Sequence, residues 1–350
     1  MDNYLARRTR AIVLYNGKNI SDSLAPYLKS LTVTDNMGGN ADDLQITLED
    51  RAGLWQGLWL PEIGATLDVS LLCENWAELP GTIYRLGLFE IDEVTSSAPP
   101  SEVQIKAVSV PDDNHLRGVE RTRSWEKAEL KRIAEDIATG AALTLAYEPD
   151  YNPVIDRAEQ SEESDLIFLY KLLQDHGLAL KIFDKKLVIF DEADYEKAKP
   201  TIKIHSPKTN SSQNTAFCIT SIKSYSLKRK LRDVYKACHV KYQSGKKKNK
   251  FEATFTDPHK TSGKTLQVNE QVKTQAEAER LAKKRLRAKN CQETTGSFSL
   301  LGNPLLLASN TIALNGFGAY DGSYIVTRAT HSIGDGFSTD IEIRRCLDGY

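Results

Sequence analysis

The chain has 350 residues, more than one ordinary hydrophobic core accommodates, so we expect two or three domains. Hydrophobic residues make up 40% and charged residues 27%, which is typical of soluble globular proteins rather than disordered or membrane-spanning ones. The N-terminus lacks the apolar segment of a secretory signal peptide, so we expect the protein to be made in a cytoplasm.

The net charge of −1 conceals an asymmetry along the chain. Residues 1–200 contain 21 Lys and Arg against 35 Asp and Glu, a net charge of −14, whereas residues 201–350 contain 25 against 12, a net charge of +13. Two interpretations are open. The basic part binds a polyanion, or the acidic and basic parts face each other within or between subunits.

Residues 1–110 predict a series of short antiparallel strands. Asn16-Gly17 is a strong hairpin signal. Farther along, Leu44 and Ile46 alternate with polar residues at the two-residue period of a half-buried strand. Because several such segments are separated by turn residues, this part predicts a β-sandwich or barrel.

Residues 111–200 predict a small mixed unit that begins with a helix. Ser124 is a good helix N-cap, and apolar residues at helical spacing follow from Leu130. Gly140 then supplies the stop at the C-terminal end.

A second helix and a hairpin complete this middle unit. The helix is indicated by an apolar stripe that begins at Leu166, and Gly177 ends it. Two short apolar strands then flank a turn at Asp184-Lys185.

Residues 201–350 return to strands, interrupted by one helix. Thr274 and Glu277 form a T-x-x-E capping box at the start of that helix. The predicted class is therefore α+β and β-rich, with two β-rich ends around a mixed centre.

The sequence contains no convincing catalytic, metal or cofactor motif. The TSGKT segment (Thr261–Thr265) has Pro258 where a phosphate-binding loop needs glycine, so we expect a hairpin loop there. The five cysteines are odd in number and widely spaced, which argues against a disulfide framework or zinc site. Acidic pairs such as Asp42-Asp43 are expected at loops or helix starts. An alternative function is a glycan-cleaving enzyme, whose catalytic carboxylates would come from distant positions in the sequence.

Two basic clusters stand out, LKRKLR (Leu227–Arg232) and GKKKNK (Gly245–Lys250). They are either solvated loops between strands or contacts with an acidic protein or nucleic acid. As the candidate interface we select the lysines of the second cluster, Lys246, Lys247 and Lys248.

Several segments together resemble the late control D family, the baseplate hub proteins of contractile-tailed phages and related phage-tail-like particles. They are also similar to the N-terminal part of the VgrG proteins of type VI secretion. The segments are ADDLQITLED with the following PEIGATLDVSLL, LGLFEIDEVTSS, RSWEKAELKRIAEDIA as a Trp-initiated helix, SDLIFLYKLLQDHGLALKIFDKKLVIFD, and GAYDGSYIVTRATHSIGDGFSTDIEI.

This resemblance implies a structural protein that is not an enzyme. Its fold would be two tail-tube-like antiparallel β-barrels, residues 1–110 and 201–350, linked by the mixed unit of residues 111–200. The resemblance also implies a homotrimeric ring that adapts a sixfold tail tube to a threefold spike. Partners would be the tube protein, the central spike protein and other baseplate proteins, with spike and any wall-degrading activity on separate chains.

The location implied by the resemblance is the baseplate of a virion or phage-tail-like particle, assembled in the bacterial cytoplasm. No membrane span and no cofactor are expected, and nucleic acid would be met only as it passes through the lumen. In such a ring the acidic and basic parts of neighbouring subunits would alternate. The alternative function is a nucleic-acid-binding protein that uses the basic residues 201–350.

Overall fold

The computed structural model describes residues 6–76, 79, 81–110, 116–208, 215–243, 250–272 and 274–350. Of these described residues, 50% lie in strands and 15% in helices. The predicted β-rich α+β class is therefore confirmed.

In its described residues the N-terminal part has seven strands and one short helix. These elements are β1 (Arg8–Tyr15), β2 (Lys18–Asn19), α1 (Ser21–Leu24), β3 (Leu28–Asn36), β4 (Asp43–Glu49), β5 (Thr66–Glu74), β6 (Ile83–Ser97) and β7 (Glu102–Val108). The predicted turn at Asn16-Gly17 has the positive φ angles that favour these residues and joins β1 to β2. Leu44 and Ile46 are buried, as their alternation predicts.

In its described residues the middle part contains three helices and five strands, and these strands form one two-stranded and one three-stranded sheet. Its elements are β8 (Glu120–Glu129), α2 (Leu130–Gly140), β9 (Thr144–Tyr147), β10 (Val154–Ser164), α3 (Asp165–Asp175), β11 (Ala179–Phe183), β12 (Lys186–Phe190) and α4 (Glu192–Glu196). The side chain of Ser164 caps α3 by accepting a hydrogen bond from Ile167 N at 3.4 Å. Gly177 follows this helix with a φ of +64°, and Asp184-Lys185 forms the predicted turn between β11 and β12.

The predicted start and stop of the first helix were wrong. Ser124 and Trp125 lie within β8, where they pair with residues of β10, so α2 begins at Leu130. The Trp125 ring stacks on Phe168 of α3 at 5.2 Å, a tertiary contact that overrides the local capping signal. At the other end α2 includes Gly140, and Ala142 takes the positive φ.

The described residues of the C-terminal part form ten strands, one long helix and a 3₁₀ turn. These are β13 (Ile202–His205), β14 (Cys218–Ile219), β15 (Ile222–Arg229), β16 (Tyr235–Gln243), β17 (Lys250–Thr256), β18 (Lys264–Val268), α5 (Gln275–Asn290), β19 (Thr294–Leu301), β20 (Thr311–Asn315), the 3₁₀ turn (Gly318–Tyr320), β21 (Gly322–Gly334) and β22 (Gly336–Arg345). Thr274 caps α5 as predicted, because its hydroxyl accepts from Glu277 N at 3.1 Å.

Strands β16 to β18 form a separate three-stranded sheet against α5. β17 lies antiparallel on one side of β16, and β18 lies parallel on its other side. The segment Thr261–Thr265 therefore joins strands on opposite sides of β16, so the predicted hairpin loop was wrong. Apolar residues of this sheet and α5 form their own core, which includes Val240, Ala282 and Leu286.

Most remaining strands belong to one fourteen-stranded sheet that spans both ends of the chain. Its central strand, β21, pairs with β22 along one edge. Along its other edge it pairs with β20 in its first half and with β3 in its second half. Separate hydrophobic clusters fill the N-terminal, middle and C-terminal parts. Phe337, from β22, packs into the N-terminal cluster and fixes the two β-rich parts to each other.

Candidate functional site

Eight strands of the large sheet form one continuous antiparallel surface. Their order is β15, β19, β22, β21, β3, β4, β7 and β6. Four of these strands come from the C-terminal part and four from the N-terminal part. The sheet therefore presents a single surface that two distant stretches of sequence build together.

One side of this sheet is polar along its whole width. Residues directly opposite each other on antiparallel strands share a face, so the register identifies its members. One row crosses the sheet from Ser224 through Thr330 to Asp43, and another from Ser332 through Gln45 to Glu93. We call this surface the polar sheet face: Thr32, Thr34, Asp43, Gln45, Thr47, Glu93, Thr95, Gln104, Lys106, Ser224, Ser226, Lys228, Ser297, Ser299, Arg328, Thr330, Ser332, Asp340 and Glu342.

The opposite side of the same strands is apolar and buried. Phe298, Ile341 and Ala329 occupy adjacent strands there in the C-terminal part, and Val33 and Leu44 do so in the N-terminal part. The hydrophobic side is therefore already covered by the two cores. Apart from Thr34, which is buried, the polar sheet face is the side that remains for solvent or for another molecule.

The polar sheet face carries short side chains and nearly balanced charge. Hydroxyl and amide side chains predominate, and ion pairs lie across neighbouring strands. Arg328 contacts Glu342 at 3.5 Å, and Lys106 contacts Glu93 at 3.0 Å. Such a surface has neither the exposed apolar patch of a sticky interface nor the concentrated positive charge of a nucleic-acid-binding one.

A buried ion-pair network joins the N-terminal, middle and C-terminal parts beside this sheet. Lys181 of β11 forms ion pairs with Asp35 and, at 3.3 Å, with Asp42, and the second oxygen of Asp35 accepts from Ala308 N at 2.8 Å. Burial raises the pKa of Asp42 to about 7, although the nearby lysine acts in the opposite direction.

A second buried network joins α4, α5 and β22. One carboxylate oxygen of Glu196 accepts hydrogen bonds from Arg287 at 2.6 Å and from Arg344, and the other accepts from Leu347 N at 2.8 Å. Arg344 also contacts Glu192 at 2.6 Å. The first network therefore ties the two β-rich parts together through Asp35, and the second ties α4 of the middle part to the C-terminal part.

The structure brings only some of the sequence-predicted residues to this surface. Lys246, Lys247 and Lys248 lie outside the described residues, so that interface stays a prediction. The other basic cluster covers the end of β15 and the following turn, where Arg229 contacts Glu293 at 3.1 Å and Leu231 is exposed.

Sequence reasoning missed both the polar sheet face and the buried networks. Asp42 lies in the loop before β4, as expected, but its side chain is buried against Lys181. The only available signal for the polar face was the alternation of Ser, Thr and Gln with apolar residues in separate strands. Among the described residues, no group of His, Cys, Asp and Glu could hold a metal ion.

Comparison with known families identifies the kind of protein. The model of a family described as "Phage tail baseplate hub (GPD)" matches residues 94–337, which is well over half of the chain. The chain belongs to the phage tail baseplate hub family. The predicted resemblance to that family is confirmed, and the role of this hub protein is structural.

Curated relatives of the hub protein include the probable baseplate hub proteins of Escherichia phages P2 and 186. The first is 31% identical over 178 residues, covering 51% of this chain and 44% of the relative. The second is 30% identical over 174 residues, covering 49% and 42% respectively. The matched region is thus less than half the length of these relatives.

Solved structures with the same fold include two tail proteins and a chain of a PdpA–VgrG complex. The tail protein from Neisseria meningitidis MC58 has a TM-score of 0.71 at 14% identity, with 97% of each chain covered. The 43 kDa tail protein of prophage MuSo2 from Shewanella oneidensis also has a TM-score of 0.71, at 13% identity, covering 97% of this chain and 99% of that one. A chain of the Francisella PdpA–VgrG complex has a TM-score of 0.59 at 11% identity, covering all of this hub protein and 60% of that chain.

No helix within the described parts of the hub protein is both long enough and apolar enough to cross a bilayer.

Proposed function

We propose that three copies of this hub protein form a ring that adapts a sixfold tail tube to a threefold spike. In this proposal residues 1–110 and 201–350 are the two tube-like parts of each copy, and residues 111–200 link them. Three copies then offer six similar parts to the tube while keeping the threefold symmetry of the spike. The role is one of assembly and geometry, without catalysis.

The observation that carries this proposal is the polar sheet face. Each β-rich part contributes four adjacent strands to it. Antiparallel pairing of β3 with β21 joins these two sets of strands into one sheet. A surface that is hydrated, low in apolar area and almost neutral suits the wall of a passage. A polymer that moves through the passage would make few strong contacts with such a wall. We therefore propose that this face lines the lumen of the ring.

The partners in this proposal are a second and third copy, a tail tube protein, a central spike protein and other baseplate components. The location is the baseplate of a virion or phage-tail-like particle, after assembly in the bacterial cytoplasm. Family membership and the fold shared with tail proteins support these assignments.

The first test is the mass of the purified protein by light scattering, combined with negative-stain images of the same sample. We expect a mass of about three times 39.1 kDa and particles with a central hole. If the protein is monomeric, the measurement is repeated with the spike protein as a partner. A chain that stays monomeric with that partner would contradict the ring, and a steeply salt-dependent affinity for DNA would then favour the nucleic-acid-binding alternative.

A second test examines the passage itself. Thr330 is replaced by Cys at the centre of the polar sheet face, and Arg132, on the exposed side of α2, is replaced by Cys as the control. We expect a small maleimide to label both variants of the trimer, and a maleimide on a large polymer to label the control much faster. Equal rates with the large reagent would contradict a lumenal position.

A further inference from the structure

A cavity of about 250 Å³ lies between the middle part and α5 of the C-terminal part. Tyr151 and His176 line it on the side of the middle part, Tyr151 from the segment before β10 and His176 from the residue that follows α3. Arg280 and Lys284, one turn apart on α5, line it on the other side. None of these residues belongs to the polar sheet face or to the two buried ion-pair networks, so the cavity is a separate site.

The two cations of this cavity are held by an aromatic ring rather than by carboxylates. The Arg280 guanidinium lies over Tyr151, with its central carbon 3.1 Å from the ring centroid, and Lys284 Nζ lies 5.3 Å from the same centroid. Within the parts of the chain that the structure describes, neither cation has a carboxylate oxygen within 4.0 Å, and Arg280 Nε is buried without a hydrogen-bond partner. Stacking occupies a face of the guanidinium, so the N–H groups in its plane remain available as donors.

Gly177 lets the lysine reach this position. A Cβ on this glycine would lie 2.6 Å from Lys284 Cδ and Cε, so the lysine stem lies directly against the backbone at the end of α3. Removal from water lowers the pKa of Lys284 to about 7, and the charge of Arg280 acts in the same direction. Burial, together with the two cations, also lowers the pKa of His176 to about 4, so this ring is uncharged at neutral pH. Two desolvated cations therefore lie side by side without a compensating anion.

The carboxylates of this cavity lie at its rim. Arg285 contacts Glu270 at 2.7 Å and Asp175 at 3.9 Å, and the Asp175 side chain is 71% exposed. Glu277 is exposed as well. The positive charge thus lies inside the cavity and the negative charge lies around it. A single carboxylate with basic neighbours on its own chain matches this arrangement, whereas the rim would repel a polyanion such as a nucleic acid.

We propose that this cavity binds a carboxylate of a partner protein, carried by an Asp or Glu residue that has Lys or Arg beside it. The carboxylate accepts hydrogen bonds from Arg280 and Lys284, and the flanking basic side chains pair with the carboxylates of the rim. The site does not depend on the proposed ring, because every residue that builds it belongs to one copy.

Competitive labelling of amines tests this site directly. The protein is treated at pH 7 with a trace of acetic anhydride, and mass spectrometry gives the acetylation rate of each lysine. Only the neutral amine reacts, so Lys284 should react at least about tenfold faster than Lys283, whose amine lies near Phe255 outside the cavity. The probe is the peptide acetyl-Lys-Glu-Lys-amide at about 10 mM, because two charged hydrogen bonds give a Kd of about 1 mM. The peptide should slow the reaction of Lys284 at least about fivefold and leave Lys283 unchanged.

Control ligands identify the chemistry that is bound. Acetyl-Lys-Gln-Lys-amide lacks the carboxylate and should give no protection, and acetate at the same concentration should protect less than the peptide because it lacks the basic neighbours. Equal protection by acetate would reduce the site to one for small carboxylates and overturn a protein ligand. Stronger protection by a single-stranded oligonucleotide would overturn the choice of a carboxylate.

A pair of variants identifies the residue that holds the ligand beside the lysine. Arg280→Gln should abolish protection of Lys284 by the peptide, whereas Lys283→Gln, which removes one charge from the same helix, should retain it. Equal protection in the parent and in Arg280→Gln would overturn the assignment of Arg280.

Thermal unfolding provides a measurement without labelling. At pH 6 the Lys284 amine is protonated, so Lys284→Met removes an uncompensated cation and should raise the thermal midpoint by about 2–6 °C, with a change of about 1 °C or less for Lys283→Met. The peptide should raise the midpoint of the parent but not that of Lys284→Met. A midpoint of Lys284→Met below that of the parent would show that the amine is already compensated within the folded chain, and would overturn the proposal.

Discussion

The buried carboxylate of Glu196 gives the most quantitative test of how the parts of this hub protein are held together. Its side chain is 1% exposed and neutralises Arg287 and Arg344, whose side chains are 13% and 5% exposed. Glu196→Gln preserves the shape but removes the negative charge. Both guanidinium groups would then lie in a poorly solvated site with reduced compensation, so the folded chain should lose stability.

The expected magnitude follows from the contacts. Removing one partner of a buried ion pair typically costs about 3–5 kcal/mol. Arg344 keeps a hydrogen bond to Glu192 at 2.6 Å, and the glutamine oxygen can still accept one bond, so we expect the lower end, about 3 kcal/mol. At roughly 2–4 °C per kcal/mol, the first thermal transition should fall by about 6–12 °C.

Glu192→Gln is the matched control, because it lies on the same short helix. The Glu192 side chain is 41% exposed and makes one contact with Arg344, so its loss should cost at most about 1 kcal/mol. Scanning calorimetry and urea unfolding of both variants would measure the difference. Equal destabilisation by the two substitutions would refute the reasoning that burial and dual pairing make Glu196 important.

Three further predictions follow from other sites. Burial raises the pKa of Asp42 to about 7, so this group contributes stability at low pH that is lost as the pH rises from about 4 through 7. Asp42→Asn should therefore remove at most about 4 kcal/mol of the pH dependence of the free energy of unfolding, measured in urea. An unchanged slope of that free energy against pH would contradict this. Thr274→Ala should destabilise by about 1 kcal/mol, measured by urea unfolding, with Thr274→Ser as the control that keeps the capping oxygen. Reversing the charges of the candidate interface lysines should weaken the trimer more at low salt than at high salt, and an unchanged mass and salt dependence would mean that the cluster is merely solvated. Those lysines are Lys246, Lys247 and Lys248.

Local patterns predicted many of the elements of this fold. The alternation around Leu44 and Ile46, the cap at Thr274 and the turn at Asp184-Lys185 depend on residues within a few positions of each other, and the structure contains each of them. The false N-cap at Ser124 shows the limit. Its local signal is genuine, but pairing between β8 and β10 and the stacking of Trp125 on α3 decide the conformation.

The candidate site was much less predictable, because it depends on contacts between distant residues. Alternating residues show that a strand has a polar side, but not which strands lie beside each other. β3 and β21 are separated by almost 300 positions in sequence, and their pairing creates the continuous surface. The same is true of Asp42 and Lys181, which lie in different parts of the chain and look like ordinary surface charges in sequence.

The charge asymmetry acquires a more specific interpretation from the buried ion pairs. A net charge of −14 in residues 1–200 and +13 in residues 201–350 says that unlike parts attract, but it does not say where they meet. Within one copy, β3 and β21 join the two parts through uncharged polar and apolar pairs such as Thr34 with Thr330 and Leu31 with Ile333. The two parts also meet through opposite charges where Glu196 of α4 contacts Arg287 and Arg344. Part of the opposite charge of residues 1–200 and residues 201–350 is therefore already paired in buried contacts within one copy.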